Sequence, residues 1–220
     1  MKNSSDFEKY LKSKKIGSSY QKHYTSICGQ MMDDPMMNMY SPTDVFQRLL
    51  KERILILGGE MDDNLCEMLK ANLLYLESLD PDKDIKIYCN SPGGSVYSGL
   101  GLLDIMDYIK PEICTINTGL AASMAAIILC SGTKGKRKAL KRSRTMIHQP
   151  ISYIGFAQAS DIEIDSREIL SLKKELYEIV SDRTGQVYDK VHKDSDRDYW
   201  MNSEEAKRYG MIDEIIIKRK

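Results

Sequence analysis

Ser123 stands in the run Gly119-Leu-Ala-Ala-Ser-Met-Ala-Ala. A serine flanked by small residues, after an apolar run and at the start of a predicted helix, suits a nucleophile. Small neighbours let a substrate carbonyl approach, and a helix N-terminus offers free N–H groups and positive potential to a developing oxyanion. The plain alternative is a helix-start serine in a tight apolar turn, and this run alone favours it. The chain has three histidines. His23 lies in a polar N-terminal stretch, and His192 lies in a charged segment that should face solvent. His148 closes the apolar run Thr145-Met-Ile-His and precedes Gln149-Pro150. A lone buried histidine is usually structural. Here Ser123 and His148 both fall at the C-terminal ends of predicted strands, where α/β proteins gather chemistry, and this favours a general base. Such a base needs an acid to fix its tautomer and stabilise the imidazolium. Asp161, Asp165, Asp194, Asp196 and Asp198 are all available, and the residues alone do not choose among them.

Chain order narrows the chemistry. A Ser–His–Asp sequence differs from the Ser–Asp–His, His–Asp–Ser and Asp–His–Ser orders of three hydrolase lineages, and no G-x-S-x-G elbow is present. Gly132-Thr-Lys-Gly135-Lys lacks the spacing of a P-loop, and Gly99-Leu-Gly101 lacks the third glycine of a dinucleotide site. Nothing here binds ATP, and no cofactor is expected. The basic stretch Lys134–Arg144 holds seven Lys or Arg. It reads as a solvated loop and hairpin rather than an anion or nucleic-acid site.

The elements that must position these residues alternate between strand and helix. Strands are predicted at 54–57, 85–89, 113–117 and 145–149, with turns at Gly58-Gly59, at 90–94 and at Gly119. Asp62 and Asp63 open a helix with Leu65, Leu69, Leu73 and Leu76 on one face. Further helices run from Val96 to Ile109 and through Ala-Ala-Ser-Met-Ala-Ala-Ile-Ile-Leu at 121–129. This alternation implies βαβ crossovers and a largely parallel sheet. After Pro150 a loose stretch leads to a long amphipathic helix from about Asp161 to Arg183, carrying Ile162, Ile169, Leu172, Leu176 and Ile179. At about 33 Å it is longer than a small domain can cover, so it should project and pack on another subunit. A short helix at 203–209, a Gly210 stop and a last strand complete the chain. Residues 1–42 are polar and then methionine-rich at 31–39, which reads as a mobile leader. A short helix capped by Thr43 or Asp44 follows it.

Lys+Arg and Asp+Glu both number 32, so electrostatic binding of nucleic acid is not expected. The five cysteines are scattered without a Cys-x-x-Cys pair, which argues against zinc. Cys89, Cys114 and Cys130 sit in apolar runs as core residues. No secretory signal and no membrane-length apolar run is present. The expectation is a cytoplasmic protein that binds neither nucleic acid nor membrane.

Five motifs now stand in order: Ser-Pro-Gly-Gly-Ser at 91–95, Gly-Leu-Ala-Ala-Ser-Met-Ala at 119–125, Met-Ile-His-Gln-Pro at 146–150, Ala-Ser-Asp-Ile-Glu-Ile at 159–164 and Asp-Arg-Asp-Tyr-Trp-Met at 196–201. In order and spacing they resemble ClpP, the proteolytic subunits of the ATP-dependent Clp protease, from about Tyr40 to Lys218. The resemblance implies an α/β fold, the ClpP/crotonase-like spiral of βαβ units with a protruding handle at about 151–183, in a domain spanning 43–218. It implies Ser123 as nucleophile, His148 as base, Asp198 as acid, and the N–H groups of Gly94 and Met124 as oxyanion hole. Asp196 and Arg197 match a pair linking ring assembly to the active site. Tyr88 and Tyr108 match residues that receive a hexameric Clp ATPase, though Lys86 stands where an aromatic is frequent. Two stacked seven-membered rings would enclose a chamber for unfolded protein substrates, and the leader could be a propeptide.

Between Pro150 and the handle, this chain departs from the family's Gly-Gly and Gly-Gln-Ala pattern. It reads Ile-Ser-Tyr-Ile-Gly-Phe-Ala-Gln-Ala-Ser at 151–160, one residue longer than that pattern. Lost glycines and a shifted strand register predict weak ring pairing, or a mixed ring with a sister subunit, and low activity alone. Two other readings compete: a helper subunit of a mixed ring, and a crotonase-like acyl-CoA enzyme.

Overall fold

The computed structural model describes residues 42–152 and 158–218, apart from the side chains of 42–44. The expectations for residues 1–41, including His23 and the methionine-rich run, lie outside the described residues, as do positions 153–157 of the altered segment. The chain falls into two compact units, one ending at Glu52 and the other beginning at Arg53. The described part of the first is helix α1 (Pro42–Lys51). Proline is tolerated at a first helical position, where its missing N–H costs nothing. Thr43 and Asp44, expected as caps, lie inside the first turn instead.

In the second unit, β1 (Ile54–Met61), α2 (Asp63–Leu79), β2 (Ile85–Gly94), α3 (Val96–Tyr108) and β3 (Ile113–Ala122) follow the expected alternation. Then come α4 (Met124–Cys130), β4 (Lys138–Leu140), β5 (Arg144–Ile147), α5 (Ala159–Thr184), α6 (Tyr188–Asp194), β6 (Tyr199–Asn202), α7 (Ser203–Tyr209) and β7 (Glu214–Ile216). The sheet runs β1-β2-β3-β4-β7, with β5 on β3 and β6 on β5. Every pairing is parallel except β5–β6. Ile116 and Asn117 of β3 pair with β4, and its last three residues pair with β5. At that change of partner the buried Asn117 side chain donates to the Arg144 carbonyl at 2.8 Å, which satisfies a carbonyl at the point where the ladder divides.

Three expected turns are strand instead. Gly58-Gly59 lies within β1, the Ser-Pro-Gly-Gly run is the end of β2, and Gly119 lies within β3. Irregular register at Gly58/Glu60 and at Cys89/Ser91 lets these strands absorb turn-like residues without ending. The stretch 134–144 is no hairpin: β4 and β5 both run parallel to β3 and do not pair with each other. Nor is it all solvated, since Arg137 is buried against Asp213. Helix α6 and strand β6, absent from the expectation, follow the long helix.

The expected apolar faces carry the core with exchanges: α3 buries Leu102, Leu103 and Met106 and leaves Leu100 half-buried. Helix α2 buries Cys66, Leu69, Leu73 and Leu76, with Cys66 in place of the half-buried Leu65. Each large side chain removed from water contributes about 1.5–3 kcal/mol. In β2, Ile85, Ile87 and Cys89 are buried while Lys86 is exposed, so one face of the sheet is left uncovered there. Cys66, Cys89, Cys114 and Cys130 are free and buried. Burial pushes their thiols up, Cys89 to about 12 and Cys66 and Cys130 to about 11. Helix α5 is 26 residues long, about 39 Å at 1.5 Å per residue. Only Leu176, Tyr177 and Val180 of it are buried, while Ile162, Ile164 and Leu170 are exposed. Gly185, left-handed at φ 76°, ends it.

Candidate active site

Strand register brings the chemistry together. In the parallel β3–β5 pair, Ala122 lies opposite Met146, and the Ser123 N–H donates to the Met146 carbonyl at 2.9 Å. Ser123 and His148 are therefore level at the ends of adjacent strands. In the antiparallel β5–β6 pair, Ile147 lies opposite Tyr199, so the residues just beyond, His148 and Asp198, face one another. His148 Nε2 is 2.8 Å from Ser123 Oγ, and His148 Nδ1 is 3.1 Å from Asp198 Oδ1. With Nδ1–H donating to the carboxylate, Nε2 is free to accept from the serine hydroxyl. The histidine side chain is 17% exposed and the Asp198 side chain 59%.

The helix expected from Ala121, with Ser123 in its first turn, starts only at Met124, because Ala121 and Ala122 still pair with β5 as the end of β3. Ser123 lies between the two. It is the N-cap of α4, at φ 56° and ψ −128°. A left-handed φ in a non-glycine residue costs about 1–3 kcal/mol, and here it turns the hydroxyl out between strand and helix. Met124 follows as the first residue of α4. Its N–H has no intrahelical acceptor, and its side chain is buried against Gly99, where a Cβ would come within 2.3 Å of Met124 Cγ.

Gly94 is held at φ 154° against Met61, whose carbonyl a Cβ would approach to 2.3 Å. Gly93, overlooked in the sequence, lies closest to the serine. At φ 91°, a Cβ there would fall 2.6 Å from the Ala122 carbonyl, 2.8 Å from Ser123 Cβ and 2.9 Å from Met124 N. The Gly93–Gly94 peptide, which carries the Gly94 N–H, thus lies beside the Met124 N–H. Ser91, buried, accepts from the Gly93 N–H at 3.1 Å and fixes this approach. Only the paired glycines in Ser-Pro-Gly-Gly signalled it.

The other candidates stand apart. Asp161 and Asp165 are exposed on α5, and Asp194 is paired with Lys190 at 2.5 Å. Asp196 and Arg197 are exposed, with no side-chain hydrogen bond or ion pair to described residues. Tyr88 is half-buried opposite Ile56 on the uncovered sheet face, and Tyr108 is 78% exposed at the end of α3. His192 is exposed, as expected, and packs edge-on against Tyr177 at 5.5 Å. Among the described residues no group of three or more His, Cys, Asp or Glu could hold a metal ion, and no helix is long and apolar enough to cross a membrane.

The sequence model of the Clp protease family matches residues 38–219. The chain is 56% identical over 189 residues to the ATP-dependent Clp protease proteolytic subunit of Bacteroides fragilis, which covers 86% of this chain and 90% of that one. It is 52% identical over 206 residues to the protein of the same name from Porphyromonas gingivalis, covering 94% and 89%. It is also 52% identical over 176 residues to ATP-dependent Clp protease proteolytic subunit 2 of a Synechococcus strain, covering 80% and 89%.

Proposed function

Because this chain belongs to the Clp protease family, we infer that it is the serine-peptidase subunit of a Clp protease, with Ser123 as nucleophile, His148 as general base and Asp198 as the acid that orients it. The observation carrying the assignment is the hydrogen-bonded series from Ser123 Oγ through both ring nitrogens of His148 to Asp198. As Ser123 Oγ attacks a peptide carbonyl, its proton passes to His148 Nε2. Asp198 stabilises the resulting imidazolium without taking the proton. The carbonyl oxygen gains negative charge, and we assign its stabilisation to the N–H groups of Gly94 and Met124. His148 then returns the proton to the leaving amine, and water repeats the sequence to free the acyl-enzyme. Fluorophosphonate should label Ser123 in the native protein. A Ser123→Ala chain that still hydrolyses peptides would sink the assignment.

The protein works with a Clp ATPase, which supplies the unfolding energy that this sequence has no motif to provide. The finer reading is two stacked heptamers in the cytoplasm, docking the ATPase around Tyr88 and Tyr108, with Asp196 and Arg197 sensing assembly and residues 1–42 as a leader. Exposed Ile162, Ile164 and Leu170 on α5 support a subunit interface there. Neither the helper-subunit nor the crotonase-like alternative is favoured.

A further inference from the structure

Asp198 is the most exposed member of the series, and His148 is the one described side chain it hydrogen-bonds. Packing therefore does not hold its carboxylate; its backbone must. On its C-terminal side that backbone enters β6. On its N-terminal side lies the turn Ser195-Asp196-Arg197, and two side chains grip it. Tyr177 donates its hydroxyl to the Ser195 carbonyl at 3.3 Å. Gln149, the residue after the histidine, donates Nε2 to the Asp196 carbonyl at 2.8 Å. The other end of that amide, Oε1, accepts from Lys173 Nζ of α5 at 3.0 Å, and the ammonium lies 5.7 Å from the centre of the Tyr177 ring.

The two ends of this amide are not interchangeable. An ammonium can only donate and a carbonyl can only accept, so Gln149 can bridge them in one orientation alone. A shorter, charged or apolar side chain cannot do both. Lys173 thus fixes which way Gln149 faces, and Gln149 fixes the turn that presents Asp198.

We propose that Gln149 and Lys173 are positioning residues for Asp198, so that the long helix sets the alignment of the acid through the Gln149 amide as well as through its own Tyr177. This rests on reading Ser123, His148 and Asp198 as the triad. A misplacement of the acid near 1 Å would cost up to about 100-fold in rate.

The test measures the rate of Ser123 labelling by a fluorophosphonate, and kcat and KM on a short fluorogenic peptide, in the full-length chain. Gln149→Leu should lower kcat by about 10- to 100-fold and leave KM within about twofold. Gln149→Glu should lose as much, because a carboxylate cannot donate to the Asp196 carbonyl. Lys173→Met should lose less, and Lys173→Arg should restore most of that loss. In an Asp198→Asn background, Gln149→Leu should cost under about twofold, since residues acting through one partner are not additive. Equal losses in both backgrounds, or a Gln149→Glu chain with unchanged kcat, would overturn the proposal. If Gln149→Leu does not fold, as read by its melting transition, the Lys173 pair in the two backgrounds decides instead. A native chain in which Ser123 takes no label would overturn the triad reading itself, an outcome distinct from normal labelling in the Gln149 variants.

Discussion

Arg137 and Asp213 form a two-pronged ion pair, Nε to Oδ2 at 3.0 Å and Nη2 to Oδ1 at 2.6 Å. The arginine side chain is 5% exposed and the aspartate 21%. The guanidinium also donates to the carbonyls of Cys130 and Arg183. One side chain thus ties together the ends of α4 and α5 and the start of β7. Breaking a buried pair from one side costs about 3–5 kcal/mol. Asp213→Asn should therefore lower the urea midpoint strongly, and Arg137→Lys should not preserve it, because an ammonium cannot reproduce the fork.

The same pair sets an acid limit. Burial alone would raise the Asp213 carboxyl, but hydrogen bonds from the Arg137 side chain and backbone outweigh it and hold it below the usual range. A depressed folded pKa gives stability that is fully present above the unfolded value, near 3.9. That stability is lost as pH falls through the folded value. Stability measured from pH 5 downward should fall less steeply in Asp213→Asn than in the parent chain. Parallel curves would rule this out.

Replacing the strained serine separates chemistry from folding. Ser123→Ala and Ser123→Gly should both lose about 10⁴–10⁶ in peptidase rate. Glycine accepts φ 56° freely, whereas alanine does not. Ser123→Gly should therefore be more stable than Ser123→Ala by about 1 kcal/mol, read as a higher Tm. A lower Tm would mean the turn is not strained.

Gly93→Ala tests the oxyanion geometry. Its Cβ would press on the Ala122 carbonyl and on Ser123. Fluorophosphonate labelling should slow by about 10²–10³-fold, the usual range for one lost oxyanion donor, while His148 and Asp198 remain in place. Labelling at the parent rate would show that the Gly93–Gly94 peptide takes no part.

Assembly is the fifth test. Ile164→Lys places a charge on the uncovered part of α5 and should reduce the assembled fraction in native mass measurement without reducing helix content. The unmodified chain should itself pair rings weakly, because of its segment at 151–160, where Ile151 and Ser152 are exposed. A Gly-Gly segment of family length should raise both peptidase rate and tetradecamer. A stable, fully active tetradecamer from the unmodified chain would refute that expectation.

Much of the fold was legible because apolar spacing reports burial directly: α2, α3, α5 and the starts of β1, β2 and β3 stand where periodicity put them. Their ends were not. Gly58-Gly59 and Ser-Pro-Gly-Gly carry turn residues within strands, because the chain beyond them still finds a parallel neighbour. Arg137 was misread because charge patterning cannot see a partner 76 residues away. Ser123 and His148 were visible as strand-end residues. The choice of Asp198 among five acids needed either a family resemblance or the pairing of Ile147 with Tyr199, and register is not written in composition. Gln149 and Lys173 gave no signal, since their role exists only once the turn at 195–197 is folded against α5.

The four described cysteines are all buried, and burial pushes their thiols up. Only a thiolate reacts readily with alkylating reagents, so among the described residues the folded chain offers no sulfur to them. A cysteine introduced on the exposed face of α5, at Ser171 for example, would be the one reactive thiol of the described chain. With Cys28 replaced by serine, a dye placed there would follow the movement of that helix while a fluorophosphonate counts working sites in the same sample.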